Sequence, residues 1–220
     1  MAKLKALGLV GAAFAVGVAF AAPSTPATTG GHFTTGAQHT TWLGVAEDVN
    51  VIAFPHWGVG CEEVEYVATT TFQTTESLTV TPRYVKCRER LGEEESKTEI
   101  AINTNECNFL FTIGKKAEAD NTGHLVCPPG KRIEVFLVNA TIMLPPQTFS
   151  GISYKATAEL GVNTLTMTFT ASGLVANCEG GIYCLAGGTN WTAQLAGSLK
   201  MRGSGTDGLP VGIRATGSEG

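Results

Sequence analysis

Signatures of chemistry are scarce in this chain. No C-x-x-C pair occurs and only four histidines are present, so a tetrahedral zinc site lacks both ligands and spacing. No G-x-S-x-G turn exists to expose a nucleophilic serine. Charged residues make up only 15% of the chain and form no Lys/Arg stripe, which argues against nucleic acid or an anionic membrane as partner. No segment reads convincingly as an amphipathic helix. Nothing in the sequence calls for a cofactor.

A long apolar run occurs once, at the start. Lys3 and Lys5 precede an uninterrupted apolar or glycine stretch from Ala6 to Phe20, and Ala19-Phe20-Ala21 supplies a small-x-small cleavage pattern. The run is short for a membrane span of about 20 residues. Pro23, Ser24 and Pro26 read as a spacer after cleavage, so residues 1–21 are expected to be a signal peptide and 22–31 a Pro/Thr/Gly spacer. No cysteine follows the run to carry a lipid, and the C-terminus has neither an apolar tail nor a basic cluster. The expected location is secreted, or held in the cell envelope without a stable membrane anchor. Cleavage after Ala21 removes 21 of 220 residues to leave 199, and takes two lysines but no acid, so the net charge of −4 becomes −6.

What is present is β composition. Threonine and valine are plentiful, glycine numbers 27, and 43% of residues are apolar, enough for a packed core. Short strand patterns recur at 49–54, 64–67, 78–80, 109–113, 133–138 and 164–169, with a last long one over 191–201. In 164–169 threonine alternates strictly with Leu165, Met167 and Phe169, so one face is buried and one is wet. Residues 88–98, with Gly92 and Glu93-Glu94-Glu95, read as a charged loop. The expected fold is all-β: an antiparallel β-sandwich or partly open barrel built from disulfide-stapled hairpins. Residues 32–220 form one domain in this reading. Two stacked halves meeting near 130–150 are the alternative.

Six cysteines turn this pattern into geometry. Opposed residues of an antiparallel hairpin have numbers of constant sum. Cys61 and Cys87 sum to 148 and centre on residue 74, inside the polar Gln73-Thr74-Thr75-Glu76-Ser77. Cys107 and Cys127 sum to 234 and centre on 117, within the turn-rich 114–123. Cys178 and Cys184 sum to 362 and centre on Gly181. Opposed side chains at a non-hydrogen-bonded pair lie within disulfide reach. The expected bridges are therefore 61–87, 107–127 and 178–184, one of fifteen connectivities.

Candidate sites are few. Pro55-His56-Trp57-Gly58 reads as an exposed aromatic loop able to touch sugar or a partner, with a turn around a packed Trp57 as its alternative. His32 and His39 differ by an odd number and would face opposite ways on one strand. Glu62, Glu63, Glu65 and Glu106 could supply the paired carboxylates of a glycosidase, or could be solvated strand positions. Glu118-x-Asp120-x-Thr122-Gly123 begins like a calcium loop, but its twelfth position is Pro129 where an EF-hand has a bidentate Glu. No metal site is expected. Asn139 and Asn190 head glycosylation sequons, which matter only in a host that uses them.

Several local motifs carry a resemblance. They are Gly31-His32-Phe33, His39-Thr40-Thr41, Val59-Gly60-Cys61, Thr79-Val80-Thr81-Pro82 and Tyr84-Val85-Lys86-Cys87. They continue with Glu106-Cys107-Asn108-Phe109, Val126-Cys127-Pro128-Pro129-Gly130, Pro146-Gln147, Cys184-Leu185-Ala186-Gly187 and Val211-Gly212. In order and spacing the chain resembles a large set of paralogous secreted β proteins from soil actinobacteria, over residues 31–216. That set carries no established activity. The resemblance implies a cysteine at the place of Ala140, paired to the one matching Cys184. Here Cys178 is the extra cysteine, and a local 178–184 link takes over.

Together these readings lead to an exported, non-enzymatic β protein that offers a rigid Thr/Gly-rich surface to an envelope polysaccharide or another surface protein. A secreted carbohydrate-active hydrolase is the competing expectation and needs two acids about 5 to 10 Å apart in a cleft. A surface-layer or fibre subunit is the third and needs an unpaired edge strand.

Overall fold

The alternation of buried and wet side chains sets the strands. In the computed structural model, which describes residues 30–217 apart from 48, 49, 55, 56, 92, 93, 118, 120, 160, 182, 183 and 185–189, nearly everything is extended chain. The leader and most of the spacer lie outside the described residues, as does His56. The first strands are β1 (His32–Thr35), β2 (Thr40–Ala46), β3 (Asn50–Ala53), β4 (Gly58–Thr70), β5 (Thr74–Thr75), β6 (Ser77–Leu91), β7 (Glu94–Asn103) and β8 (Asn108–Thr112). They are followed by β9 (Asn121–Val126), β10 (Ile133–Phe136), β11 (Thr141–Leu144), β12 (Gln147–Glu159), β13 (Val162–Glu179), β14 (Asn190–Ser204), β15 (Pro210–Val211) and β16 (Ile213–Thr216). All pairing between named strands is antiparallel. Among the described residues no helix is long and apolar enough to cross a membrane.

Four long strands, β4, β6, β13 and β14, run the length of the molecule. In one half the pairing path runs β2-β4-β6-β8-β9-β12-β13-β14 and returns to β2. In the other it runs β3-β4-β6-β7-β10-β11-β13-β14 and returns to β3. The two halves share their long strands and interleave in sequence.

One wall is open where the halves meet. On β6, Thr81 to Lys86 lie between the residues that pair with β8 and those that pair with β7. On β13, Thr170 to Ala176 lie between the residues that pair with β12 and those that pair with β11. Side chains bridge this seam. The Gln147 amide donates to Val175 O at 3.0 Å and accepts from Val175 N at 2.7 Å, replacing a ladder rung. Thr81 Oγ1 donates to Asn108 Oδ1 at 2.8 Å. The result is a partly open, barrel-like envelope whose interior is filled.

The filling is aromatic and aliphatic. Tyr66, Phe109, Phe111, Phe149 and Phe169 meet at centroid distances of 5.7 to 6.4 Å in the first half. The small sheet β16-β1-β5 covers that end, where Phe33 packs edge-on against Trp42 at 6.0 Å and Tyr154 at 5.3 Å. Trp42 Nε1 donates to Thr70 Oγ1 at 3.1 Å, so the buried indole is satisfied. At the opposite end Phe54, Trp57 and Trp191 cluster.

All three expected disulfides form, Cys61–Cys87, Cys107–Cys127 and Cys178–Cys184, but only the first two lie on ladders of the expected sum: Cys178 pairs with Ile142 of β11, and Cys184 lies outside the strands. The sum 148 holds along β4 and β6 from Gly58↔Arg90 to Val67↔Thr81. The sum 234 holds from Asn108↔Val126 to Thr112↔Thr122. Residues 88–91 and 94–98 are strand and not loop: they belong to β6 and β7, which pair from Cys87↔Ile100 to Leu91↔Glu94.

Candidate ligand groove

The sequence-derived candidates settle in different places. Trp57 is 6% exposed, its ring 4.7 Å from Phe54 and 6.2 Å from Trp191. It is core, not surface, because an indole gains more from burial against two aromatics than from solvent. Its proposed companion His56, with Glu118 and Asp120, lies outside the described residues. Ala140 is buried, and its neighbour Thr141 faces Glu179 on β13, next to the bridged Cys178.

The acidic run on β4 is answered by cations on β6. Glu65 meets Arg83 at 3.1 Å, Glu62 meets Arg88 at 3.6 Å, and Glu63 bonds Lys86. These are exposed cross-strand ion pairs, each a small contributor in water. Glu106 sits exposed in a tight turn at φ +62, beside Asn105 at φ +48. His39 is exposed at φ +51, apart from His32 on β1. Among the described residues no three metal-ligating side chains gather.

Two hollows remain. One lies inside the seam, lined by Ile52, Tyr84, Phe109, Leu144, Leu174 and Leu195 among others, with a volume of about 30 Å³. That is room for one or two waters and no ligand. The other is a groove of about 280 Å³ at the rim of the first half, formed by Glu159, Val162, Asn163, Thr164, Arg202, Gly203, Pro210 and Val211. It is slightly smaller than the ~300 Å³ at which pockets for drug-sized ligands begin, so it suits a single sugar-sized ring.

Local chemistry builds this groove. The β12–β13 turn pairs Glu159 with Val162 and uses Gly161 at φ +82, a conformation glycine adopts without strain. Gly203 lets β15 lie close against β14, since a Cβ there would stand 2.7 Å from Val211 O. The loop between them is held by Gly205 N to Leu209 O at 2.9 Å and by Asp207 Oδ1, which accepts from Leu209 N at 3.0 Å. Apolar Val162, Pro210 and Val211 make one wall. Asn163, Glu159 and Arg202 make a polar rim.

The charges of the rim are ordered. Glu159 bonds Lys200, which also lies 4.0 Å from Glu47. Arg202 stands 3.9 Å from the other Glu159 oxygen and is 70% exposed. Arg214 donates from Nη2 and Nε to the Asn163 amide oxygen at 2.8 and 2.7 Å, fixing the amide. Lys200, Arg202 and Arg214 are matched in number by Glu47, Glu159 and the loop's Asp207, and Arg202 is the cation among them that makes no hydrogen bond among the described residues.

Sequence reasoning missed every residue of this groove. The available signal was Lys200-x-Arg202, two cations on the wet parity of β14 in a chain poor in charge. Comparison with protein-family models, curated proteins and solved structures found no match for this chain.

Proposed function

We propose that this protein is an exported, non-enzymatic binding module that holds one residue of an extracellular or cell-envelope polysaccharide in the groove between Glu159 and Arg202. The groove carries the reading: one apolar wall, a polar rim and a one-ring volume on strand ends that pairing holds rigid. A pyranose has a matching shape, with an apolar C–H face and hydroxyls around its edge. Three disulfides suit an oxidising exterior, and so does the apolar N-terminal run. The resemblance to secreted actinobacterial proteins points to the same compartment.

The hydrolase alternative draws no support from β4, whose acids are spent on Arg83, Lys86 and Arg88. The fibre alternative needs a long free edge. Among the described strands, those that end a sheet are short, such as β5 and β16, and the seam on β6 and β13 is bridged by side chains.

The test is retention of the purified protein on native cell-envelope polysaccharide, comparing the natural chain with Val162→Trp, which fills the groove. The variant should lose retention while its thermal midpoint moves by only a few degrees. Undiminished retention by a folded V162W protein would overturn the assignment.

A further inference from the structure

We infer that the sugar held in the groove is acidic and that Arg202 receives its carboxylate; this rests on the groove being the binding site. Arg202 is the rim group with capacity to spare. Its guanidinium has five donors, makes no hydrogen bond among the described residues, and approaches Glu159 only to 3.9 Å. Glu159 is already engaged by Lys200, whose ammonium carries much of its charge. Arg202 therefore stands as a half-neutralised cation, 70% exposed, over a concave surface.

The unused donors of Arg202 favour an anion over a neutral ring. Arg214 adds a second positive charge behind Asn163, and because it spends two donors on the amide oxygen, the Asn163 N–H groups turn to the other side. Asp207 in the adjoining loop stays charged and accepts from Leu209 N, so the attraction for an anion comes from Arg202 itself. A planar guanidinium matches a carboxylate with two parallel N–H···O bonds, a geometry that a lysine cannot reproduce. The apolar wall of Val162, Pro210 and Val211 would lie under the C–H face of the same ring. One ligand class satisfies all of these at once: a uronic-acid residue of an acidic polysaccharide.

The experiment is calorimetric titration of the full-length mature protein with oligogalacturonate and with its methyl ester, which keeps the ring and removes the charge. The acid should bind about tenfold or more tightly than the ester, as one charge-assisted pair provides. Arg202→Gln should erase that preference, Arg202→Lys should keep only part of it, and Val162→Trp should abolish binding of both. Equal binding of acid and ester by the natural chain, lost in V162W, would overturn the anion assignment and leave the groove standing. Binding unaffected by V162W would overturn the groove itself. Failure of both ligands to bind the natural chain would likewise reject the uronic-acid assignment.

Discussion

Tyr154 places its hydroxyl in the core with no hydrogen-bond partner among the described residues, and burial drives its pKa upward. Tyr66 is likewise raised, first by burial and then by the nearby Tyr84, whose oxygen lies 3.4 Å away. Tyr84 itself is pushed up to about 12, by burial against a lowering hydrogen bond from Tyr66. In the unfolded chain these phenols begin to lose protons near pH 10, while the native state still holds them. The native state therefore binds more protons in that window, and stability falls as pH rises. Below pH 10 the contribution is complete. Tyr66 and Tyr154 together should remove about 3 kcal/mol per pH unit above 10. Urea titrations between pH 9 and 11.5 should show this slope, and Tyr154→Phe should cut the share of these two roughly in half. A flat profile would mean that these rings reach water in the native state.

At the scale of the strand, three of the four shared strands change phase at the waist. On β13 the buried residues are Leu165, Met167, Phe169 and Ala171, then Leu174, Ala176 and Cys178, with a register shift between 171 and 174. Gly173, at φ +72, supplies the extra residue. β4 shifts from Val59 and Cys61 to Val64, Tyr66 and Ala68, and β6 from Leu78 and Val80 to Cys87, with Lys86 at φ +52. The bulge keeps β13 facing the core, whereas β4 and β6 change phase together and keep their mutual register. A Cβ on Gly173 would meet nothing within 4 Å, so Gly173→Ala tests backbone conformation alone. It should cost about 1 to 2 kcal/mol in chemical unfolding, the penalty of a left-handed alanine. No loss would mean that the bulge relaxes into an ordinary strand. The alternation in 164–169 was legible from residue types. The phase changes were not, because a bulge is decided by the partner strand and the space it must span.

For the whole molecule, the disulfides fasten strands whose register the pairing already sets. Cys107–Cys127 closes a loop of about 20 residues at the seam, where the wall depends on side-chain bridges. The double change Cys107→Ser with Cys127→Ser should lower unfolding free energy by about 3 kcal/mol through the gain in unfolded-state freedom. Denaturant titration under non-reducing conditions measures it, and an unchanged midpoint would show that the seam is held by packing alone. The first and last strands meet as well: β1 pairs with β16 from His32↔Thr216 to Thr35↔Ile213, bringing Phe33 and Ile213 into the core.

Residue type and number alone were enough to establish the β class and the bridges 61–87 and 107–127, because hairpin partners are neighbours in sequence and their positions add to a constant; 178–184 forms as a short local link between the end of β13 and a residue outside the strands. The groove was decided only by folding. Glu159, Asn163, Arg202, Val211 and Arg214 come from segments whose contact depends on β13, β14 and β15 lying side by side, and no local pattern of side chains encodes such a meeting. Trp57 shows the same limit: its neighbours in sequence allow exposure, and only the arrival of Trp191 turns it inward.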